Sequence, residues 1–566
     1  MDYKKMYERW LNFDYNTKAE LENLSDDEIK DRFYKDLEFG TGGLRGVIEA
    51  GTNRMNKYVV RRATQGIANY ILKQNIKNPK VALAYDSRKY SDVFAKEAAL
   101  VLNANEITTY IYNELKPTPM LSFAVRFLHA AAGIVITASH NPKEYNGYKV
   151  YWSDGGQITD EHAREISDEI KKVDYEDAKT IEMDKAILEG RFNFVPSSVE
   201  EQYFKEVNSL IINKKAIEDN GDRLNIIYTP LHGTGNKPVR KALSDAGFKN
   251  IHVVPSQELP DSNFSTVKYP NPEEHEVFTD AIRMAKEMNA DLILGTDPDC
   301  DRVGVVVKNN VGEYVVLTGN QTGILLTNYV ISMKKIQNIM PPKPVVVKTI
   351  VTTELAADIC RSYGVKVIDV LTGFKYIGEK IKEFEDNDSG DFLIGFEESY
   401  GYLLGTFVRD KDGVIACQMI SEMTAYYKGR GMSLYDGLSE IYKKYGYCLE
   451  DLRSITFKGM DGSKKIKSIM ESLRNDTPKS VAGLNVIDVK DYKKKIEIDV
   501  AGNTKTISLP EADVIQLVLK DKSMVSIRPS GTEPKIKFYF SSRGKDIDEA
   551  RANIERIEED MFKITK

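Results

Sequence analysis

A chain of 566 residues, 42% hydrophobic and 29% charged, is long enough for about three to four domains and can bury a substantial core. Its net charge of −6 gives no global footprint for nucleic acid, which calls for a basic face or stripe. No apolar run approaches the roughly 18 residues that span a bilayer, which argues against a membrane protein. Four scattered cysteines, Cys300, Cys360, Cys417 and Cys448, form no Cys-x-x-Cys pair, so they read as reduced and structural. The start of the chain, with Lys4, Lys5, Glu8 and Arg9, lacks the apolar core of a signal peptide, and the expected compartment is the cytoplasm.

From Tyr58 to about Ile170 helical patterns alternate with short strands, Val81 to Ala84 and Ala131 to Ile136, as in a βαβ layout. Helical residues around Val199 to Ile212 precede a second unit with strand Leu224 to Tyr228, helix Lys237 to Ala246, and strands Ile251 to Val254 and Asp291 to Leu294. A third begins near Gly319 with a helical run to Met333. It continues through strand Pro344 to Val347, helix Thr353 to Tyr363, and strands Val365 to Val370 and Asp391 to Ile394. From about Asp451 the pattern changes to strands Val514 to Leu519, Ser523 to Ile527 and Lys535 to Phe540, followed by helix Asp546 to Phe562. The expected fold is therefore three successive similar α/β domains (1–208, 209–320, 321–450) and a C-terminal α+β domain (451–566) with an antiparallel sheet. Lys493, Lys494 and Lys495 read as a solvated turn.

Several apolar strands end in polar loops able to carry chemistry. Thr137-Ala138-Ser139-His140-Asn141-Pro142 follows the run Gly133 to Ile136. It is either a nucleophile facing a cleft at a strand's carboxyl end or an Asn-Pro turn that happens to carry a serine. Asp297, Asp299 and Asp301 sit two apart, so an extended loop turns their carboxylates to one side and Cys300 to the other. Three hard oxygens suit Mg²⁺ rather than zinc, and the alternative is an Asx-rich turn bent by Pro298. A phosphoryl group on Ser139 would supply a further metal oxygen. His140 and Lys149 are the nearest candidates for proton transfer or oxyanion stabilisation, and Arg45, in Gly40-Thr41-Gly42-Gly43-Leu44-Arg45-Gly46, is a candidate phosphate ligand. Glu397 and Ser399, in Gly395 to Gly401, can hydrogen-bond sugar hydroxyls, and Glu398 either helps or is solvated. Arg528-Pro529-Ser530-Gly531-Thr532 offers a guanidinium, two hydroxyls and exposed backbone N–H groups, with Lys535 close by; it is an anion clamp or a tight hairpin turn.

In this order the four loops resemble the α-D-phosphohexomutase superfamily over nearly the whole chain. The resemblance implies four domains around a central active-site cleft, the first three alike, with Mg²⁺ held by Asp297, Asp299, Asp301 and a phosphate oxygen on Ser139. The forms Gly-Phe-Glu-Glu-Ser-Tyr-Gly and Gly-Thr-Gly-Gly-Leu-Arg-Gly are closest to the branch of bacterial phosphoglucomutases and animal phosphopentomutases. Where dual-specificity phosphomannomutases carry Gly-His, this chain has Thr372-Gly373-Phe374-Lys375, which argues against mannose. The implied activity interconverts glucose 1-phosphate and glucose 6-phosphate through phosphoserine and glucose 1,6-bisphosphate. Lys149 is then expected as general base and acid, helped by His140 and Arg45, with Arg302, Lys375, Arg409 and Lys411 near the substrate and a hinge near residues 448 to 455. A phosphopentomutase, a bisphosphate synthase, a phosphatase and a non-catalytic sugar-phosphate sensor are the alternatives.

Overall fold

The computed structural model describes residues 2–457, 459–530 and 535–565. Its first sheet is built from β1 (Leu44–Val47), β2 (Lys80–Tyr85), β3 (Thr108–Ile111), β4 (Ala132–Ile136), β5 (Tyr145–Trp152) and β6 (Phe192–Phe194), in the order β1-β5-β4-β2-β3-β6. The second contains β7 (Ile226–Thr229), β8 (Ile251–Val253), β9 (Leu292–Thr296), β10 (Val303–Lys308) and β11 (Tyr314–Leu317), ordered β11-β10-β9-β7-β8. The third has β12 (Pro344–Thr349), β13 (Lys366–Val370), β14 (Asp391–Glu397) and β15 (Gly401–Leu404), ordered β13-β12-β14-β15.

One motif recurs in all three. Three parallel strands are followed by an antiparallel one, giving the equivalent orders β5-β4-β2-β3, β10-β9-β7-β8 and β15-β14-β12-β13. The third parallel strand sits next to the first, so chain direction across the sheet reverses there and a crevice opens at the strand ends. β4 is buried at every residue and β9 likewise, as expected for strands covered by helices on both faces. The loops leaving β4, β9 and β14 therefore occupy the same topological position, and they carry Ser139, the three aspartates and Glu397 to Ser399.

The fourth unit is antiparallel throughout. It comprises β16 (Tyr447–Thr456), β17 (Ser480–Val481), β18 (Leu484–Asp491), β19 (Ile496–Asp499), β20 (Thr504–Thr506), β21 (Ile515–Leu519), β22 (Met524–Pro529) and β23 (Lys535–Gly544), with helices Gly459–Asn475 and Ile547–Ile564. It has its own core, including Leu517, Val525, Phe538 and Ile557, whereas the first three units share one continuous core running from Ala84 through Tyr228 to Ile441.

Two expected boundaries shift. The third unit opens at Thr318, which caps the helix Gly319–Ile336 in a capping box with Gln321, so a cut at 320/321 would fall inside that helix. The fourth opens at Tyr447, because β16 pairs with β23 from Tyr447 to Thr456 without a break, so a cut at 450/451 would sever a strand. The same pairing removes 448 to 455 as a hinge. Gly446, at φ 95 and ψ 156, a conformation open only to glycine, joins the helix Leu434–Tyr445 to β16.

A loop of the third unit pins the first three together. Arg126 of the first unit donates to Thr406 O, and Ser122 Oγ accepts the Arg409 N–H at 2.9 Å. Tyr151 donates to Asp410 at 2.6 Å, Tyr203 to Asp412 at 2.8 Å, and the Gly413 N–H to Cys300 O at 3.0 Å. Asp412 also caps the helix Gly413–Gly429, which packs against helices Lys214–Asn220 and Asn236–Ala246 of the second unit.

Burial holds the Asp412 carboxyl up at about 7, against the bonds from Ile415, Tyr203 and Val414. Between about pH 4 and 7 the folded protein keeps a proton that the unfolded chain has released, so this group's contribution to stability falls as pH rises through that window. The Tyr203 hydroxyl serves the charged form. Tyr203→Phe is expected to cost about 1–3 kcal/mol at pH 8 and less at pH 5, measured by melting at both pH values; an equal loss at both would contradict this account.

Candidate active site

Asp297, Asp299 and Asp301 follow β9 and are buried. Each offers one oxygen within 4.8 Å of the others, and Asp297 Oδ2, Asp299 Oδ1 and Asp301 Oδ1 have no hydrogen-bond donor. Buried carboxylate oxygens facing one another without donors are costly unless a cation joins them, and an all-oxygen set fits a hard divalent cation. Cys300 turns away: at φ +55 it buries its thiol against Gly235 and Gly413.

Three donors meet on Asp299 Oδ2: Ser139 Oγ at 3.0 Å, Thr118 Oγ1 at 3.0 Å and Lys149 Nζ at 2.8 Å. Lys149 is also 3.5 Å from Asp301 Oδ2, which Lys411 approaches at 3.1 Å. Burial and repulsion from Asp299 and Asp301 push the Asp297 carboxyl well up. At Asp299 burial acts the same way, but Lys149 outweighs it and holds the carboxyl below its ordinary range. Burial pulls the Lys149 ammonium down, yet Asp299 and Asp301 win and raise it. Lys149 is held here as an ammonium, suited to giving a proton or stabilising charge.

Arg45 lies on β1 opposite Gly147 of β5, and its Nη1 donates to Asn141 Oδ1 at 3.1 Å, beside Ser139. The close approach of these strands explains Gly43, φ +74, where a Cβ would stand 1.8 Å from Tyr148 O. His140 is half-buried with Nδ1 unpartnered, and burial, reinforced by Arg302 and Arg45, keeps its imidazole neutral. Arg302 pairs with Glu273, and the N–H of its neighbour Val303 donates to Tyr400 O at 3.0 Å, joining the aspartate loop to the loop after β14.

Glu397 ends β14, and burial raises its carboxyl to about 7 despite Lys411 and Arg302. Ser399 is two residues along in the same loop. Glu398 is half-buried and accepts from Thr349 at 3.1 Å and Thr352 at 3.3 Å. Gly401 is required because a Cβ there would meet Lys411 Cδ at 2.2 Å. Arg409, two residues from Lys411, points elsewhere: it pairs with Glu385 and is a structural tie, not a phosphate ligand.

Arg528 and Ser530 line a cavity of about 390 Å³ with Leu371, Thr372 and Tyr376 of the third unit. The Ser530 N–H donates to Lys535 O at 2.8 Å. Gly531 and Thr532 lie outside the described residues. Lys375 sits at 3.1 Å from Asp160 of the first unit, at the edge of an adjoining cavity of about 690 Å³. The sequence reading missed Thr118, Glu273, Asp86 and Arg88. Only the last two left a signal, since Asp86-Ser87-Arg88 follows β2 as the other polar loops follow their strands.

The chain matches three family models: Phosphoglucomutase/phosphomannomutase alpha/beta/alpha domain I over residues 36–177, domain II over 201–312 and domain III over 318–445. Among curated relatives, it is 38% identical to a phosphoglucomutase of Staphylococcus haemolyticus over 94% of this chain and 93% of that protein. It is 37% identical to a phosphoglucomutase of Staphylococcus aureus over 94% of each. The chain belongs to the phosphoglucomutase/phosphomannomutase family. It is thus an enzyme of the α-D-phosphohexomutase superfamily, a phosphotransferase of the isomerase type. Its fold is similar to that of parafusin from Paramecium in an open form (TM-score 0.71, 16% identity, covering 94% of this chain and 95% of that one). A phosphoglucomutase/phosphomannomutase family protein from Burkholderia thailandensis is comparable (TM-score 0.68, 19% identity, 93% and 96%). Among the described residues no helix is long and apolar enough to cross a membrane.

If the unpartnered oxygens of this family member form a cation site, Mg²⁺ raises the melting temperature, by about 2.7 kcal/mol of stabilisation at a hundredfold excess over Kd. Asp299→Asn is expected to abolish that response. A melting temperature insensitive to millimolar Mg²⁺ in the unsubstituted protein would contradict the assignment.

Proposed function

We propose that this protein is a phosphoglucomutase that interconverts glucose 1-phosphate and glucose 6-phosphate through a phosphorylated Ser139 and a glucose 1,6-bisphosphate intermediate. The observation that carries the reading is the 3.0 Å bond from Ser139 Oγ to a buried aspartate cluster contributed by another unit. Mg²⁺ is the cation that fits: Asp297, Asp299 and Asp301, with a phosphate oxygen on Ser139, would hold it, and it would supply charge neutralisation for the phosphoryl group.

In the first half-reaction the bond from phosphorus to Ser139 Oγ breaks as one to the 6-hydroxyl oxygen of glucose 1-phosphate forms. The sugar hydroxyl loses a proton and the serine oxygen gains one, so a single group able to hand a proton between two oxygens balances the step. Lys149 is assigned that role because its Nζ shares Asp299 Oδ2 with Ser139 Oγ and, as an ammonium, it has a proton to give. Arg45 and His140 flank the transferring group, Arg45 as fixed charge and His140 as a neutral donor. After the bisphosphate reorients, the C1 phosphoryl passes to Ser139 and glucose 6-phosphate leaves.

Glu397 and Ser399 orient the sugar hydroxyls, with Arg302 and Lys411 beside them. Arg528, Ser530 and Lys375, with Gly531 and Thr532, hold the distal phosphate in either orientation. The Thr372-Gly373-Phe374-Lys375 tract supports glucose over mannose, and the curated names of the relatives support the same sugar. We place the enzyme in the cytoplasm, a reading supported by four buried free thiols.

Ser139→Ala is expected to lower turnover at least about a thousandfold, because the covalent intermediate is lost. With Mg²⁺ and trace glucose 1,6-bisphosphate, kcat/KM for glucose 1-phosphate should exceed that for mannose 1-phosphate and ribose 1-phosphate; a ribose preference would instead identify a phosphopentomutase. Because Glu397 titrates at about 7, it loses a hydroxyl acceptor as pH falls. KM for glucose 1-phosphate should therefore rise between pH 8 and 6, and Glu397→Gln should flatten that profile; a pH-independent KM in the unsubstituted enzyme would remove Glu397 from sugar recognition.

A further inference from the structure

We propose that Arg88 is the positioning residue of the Ser139 loop and that Phe264 of the second unit braces it. The inference rests on the mutase reading for the role of Ser139. Ser139 occupies the left-handed region at φ +50, where a serine is held only if its surroundings impose it. Arg88 does so with one rigid fork. Its Nη2 donates to Ser139 O and Asn141 O, each at 2.5 Å, and its Nη1 to Pro142 O at 2.8 Å and Tyr145 O at 3.1 Å. Four carbonyls of a single loop thus converge on one planar group, an arrangement that a lysine ammonium cannot reproduce.

Asp86 completes the support. Its Oδ2 lies 3.3 Å from Arg88 Nε and accepts from Thr137 Oγ1 at 2.6 Å, and that oxygen accepts the Ser139 N–H at 2.8 Å. The N–H and the C=O of Ser139 are therefore both referred to the Asp86–Arg88 pair, whose side chains are entirely buried. Neither side chain reaches Ser139 Oγ, so the pair acts through the backbone.

The guanidinium also faces the ring of Phe264, 4.9 Å from its centroid. Phe264 is buried at 1% exposure and belongs to the unit that carries Asp299, the partner of Ser139 Oγ. The stack therefore sets the nucleophile loop against the aspartate loop across the boundary between two units. Misplacing a reacting group by about 1 Å can cost about a hundredfold in rate, so this brace governs transfer rather than substrate affinity.

The test follows phosphorylation of Ser139 by glucose 1,6-bisphosphate in single turnover, by intact mass, beside steady-state kinetics with glucose 1-phosphate. Arg88→Lys is expected to slow phosphorylation about a hundredfold while KM stays within about twofold. Phe264→Leu, which keeps an apolar side chain but no aromatic face, should slow it about tenfold, and Phe264→Tyr should restore it. The Phe264 pair decides the matter if Arg88→Lys does not fold. A phosphorylation rate like that of the unsubstituted enzyme in Arg88→Lys or Phe264→Leu, or a rise in KM matching the fall in kcat, overturns the proposal. The mutase reading fails separately, if the unsubstituted enzyme acquires no phosphoryl group on Ser139.

Discussion

Three carboxylates buried within 4.8 Å of one another are the constraint around which this molecule is arranged. In a low-dielectric interior their repulsion is relieved only partly by the second unit, which supplies Arg302 at 4.0 Å from Asp301 Oδ1 and the Asp301 and Arg302 N–H groups to Asp297 Oδ1. The remaining positive charge comes from outside: Lys149 from the first unit and Lys411 from the third. The electrostatics of the aspartate loop therefore require the other two units to be docked, and docking in turn brings Ser139 and Glu397 to the same place. The same docking is marked by a core that runs through all three units, beside further clusters within the first and the second.

The repeated topology makes such convergence possible. Because the loops after β4, β9 and β14 are equivalent, three copies of one unit facing a common centre each present one loop, and each loop is free to carry a different chemistry. The first presents a serine hydroxyl, the second anionic oxygens and the third a hydrogen-bonding carboxyl. The loops after the first parallel strands then become supports: Arg88 after β2 holds the nucleophile loop, and Thr349 and Thr352 after β12 hold Glu398.

Much of this was readable from residues, for a physical reason. A fully buried parallel strand is a continuous apolar run, so a polar, chemically equipped segment directly after it stands out, and Ser139, the aspartates and Glu397 were all found that way. The aspartates' alternation with Pro298 and Cys300 likewise forecast the inward carboxylates and the outward thiol. Residues whose role depends on a distant unit gave no such sign. Thr118 reaches Asp299 from a helix N-terminus, Glu273 reaches Arg302 from a loop, and nothing local marks either. Arg409 and Lys411 look interchangeable in sequence, yet the chain bends between them, so one faces Glu385 and the other Asp301. The unit boundaries were misplaced because composition does not change there. The better markers were the Thr318 to Gln321 capping box and Gly446 between two tyrosines.

The fourth unit obeys a different rule. It has a core of its own, and among its described residues Lys537 faces Glu273, Glu398 and Arg302 at the rim of the central site. It meets the third unit along a small apolar seam that includes Ile350, Leu371, Tyr492 and Val514, with Gln516 donating to Ile350 O at 2.9 Å and Arg543 to Asp358 at 2.7 Å. A mutase that must hold a phosphate, release it while the bisphosphate turns, and hold the other one needs a clamp that moves without disturbing the reacting centre. A separately folded sheet with a core of its own, joined after Gly446 and meeting the third unit at a small seam beside Arg528 and Ser530, suits that need, while Ser139, Lys149 and the aspartates are tied to one another elsewhere.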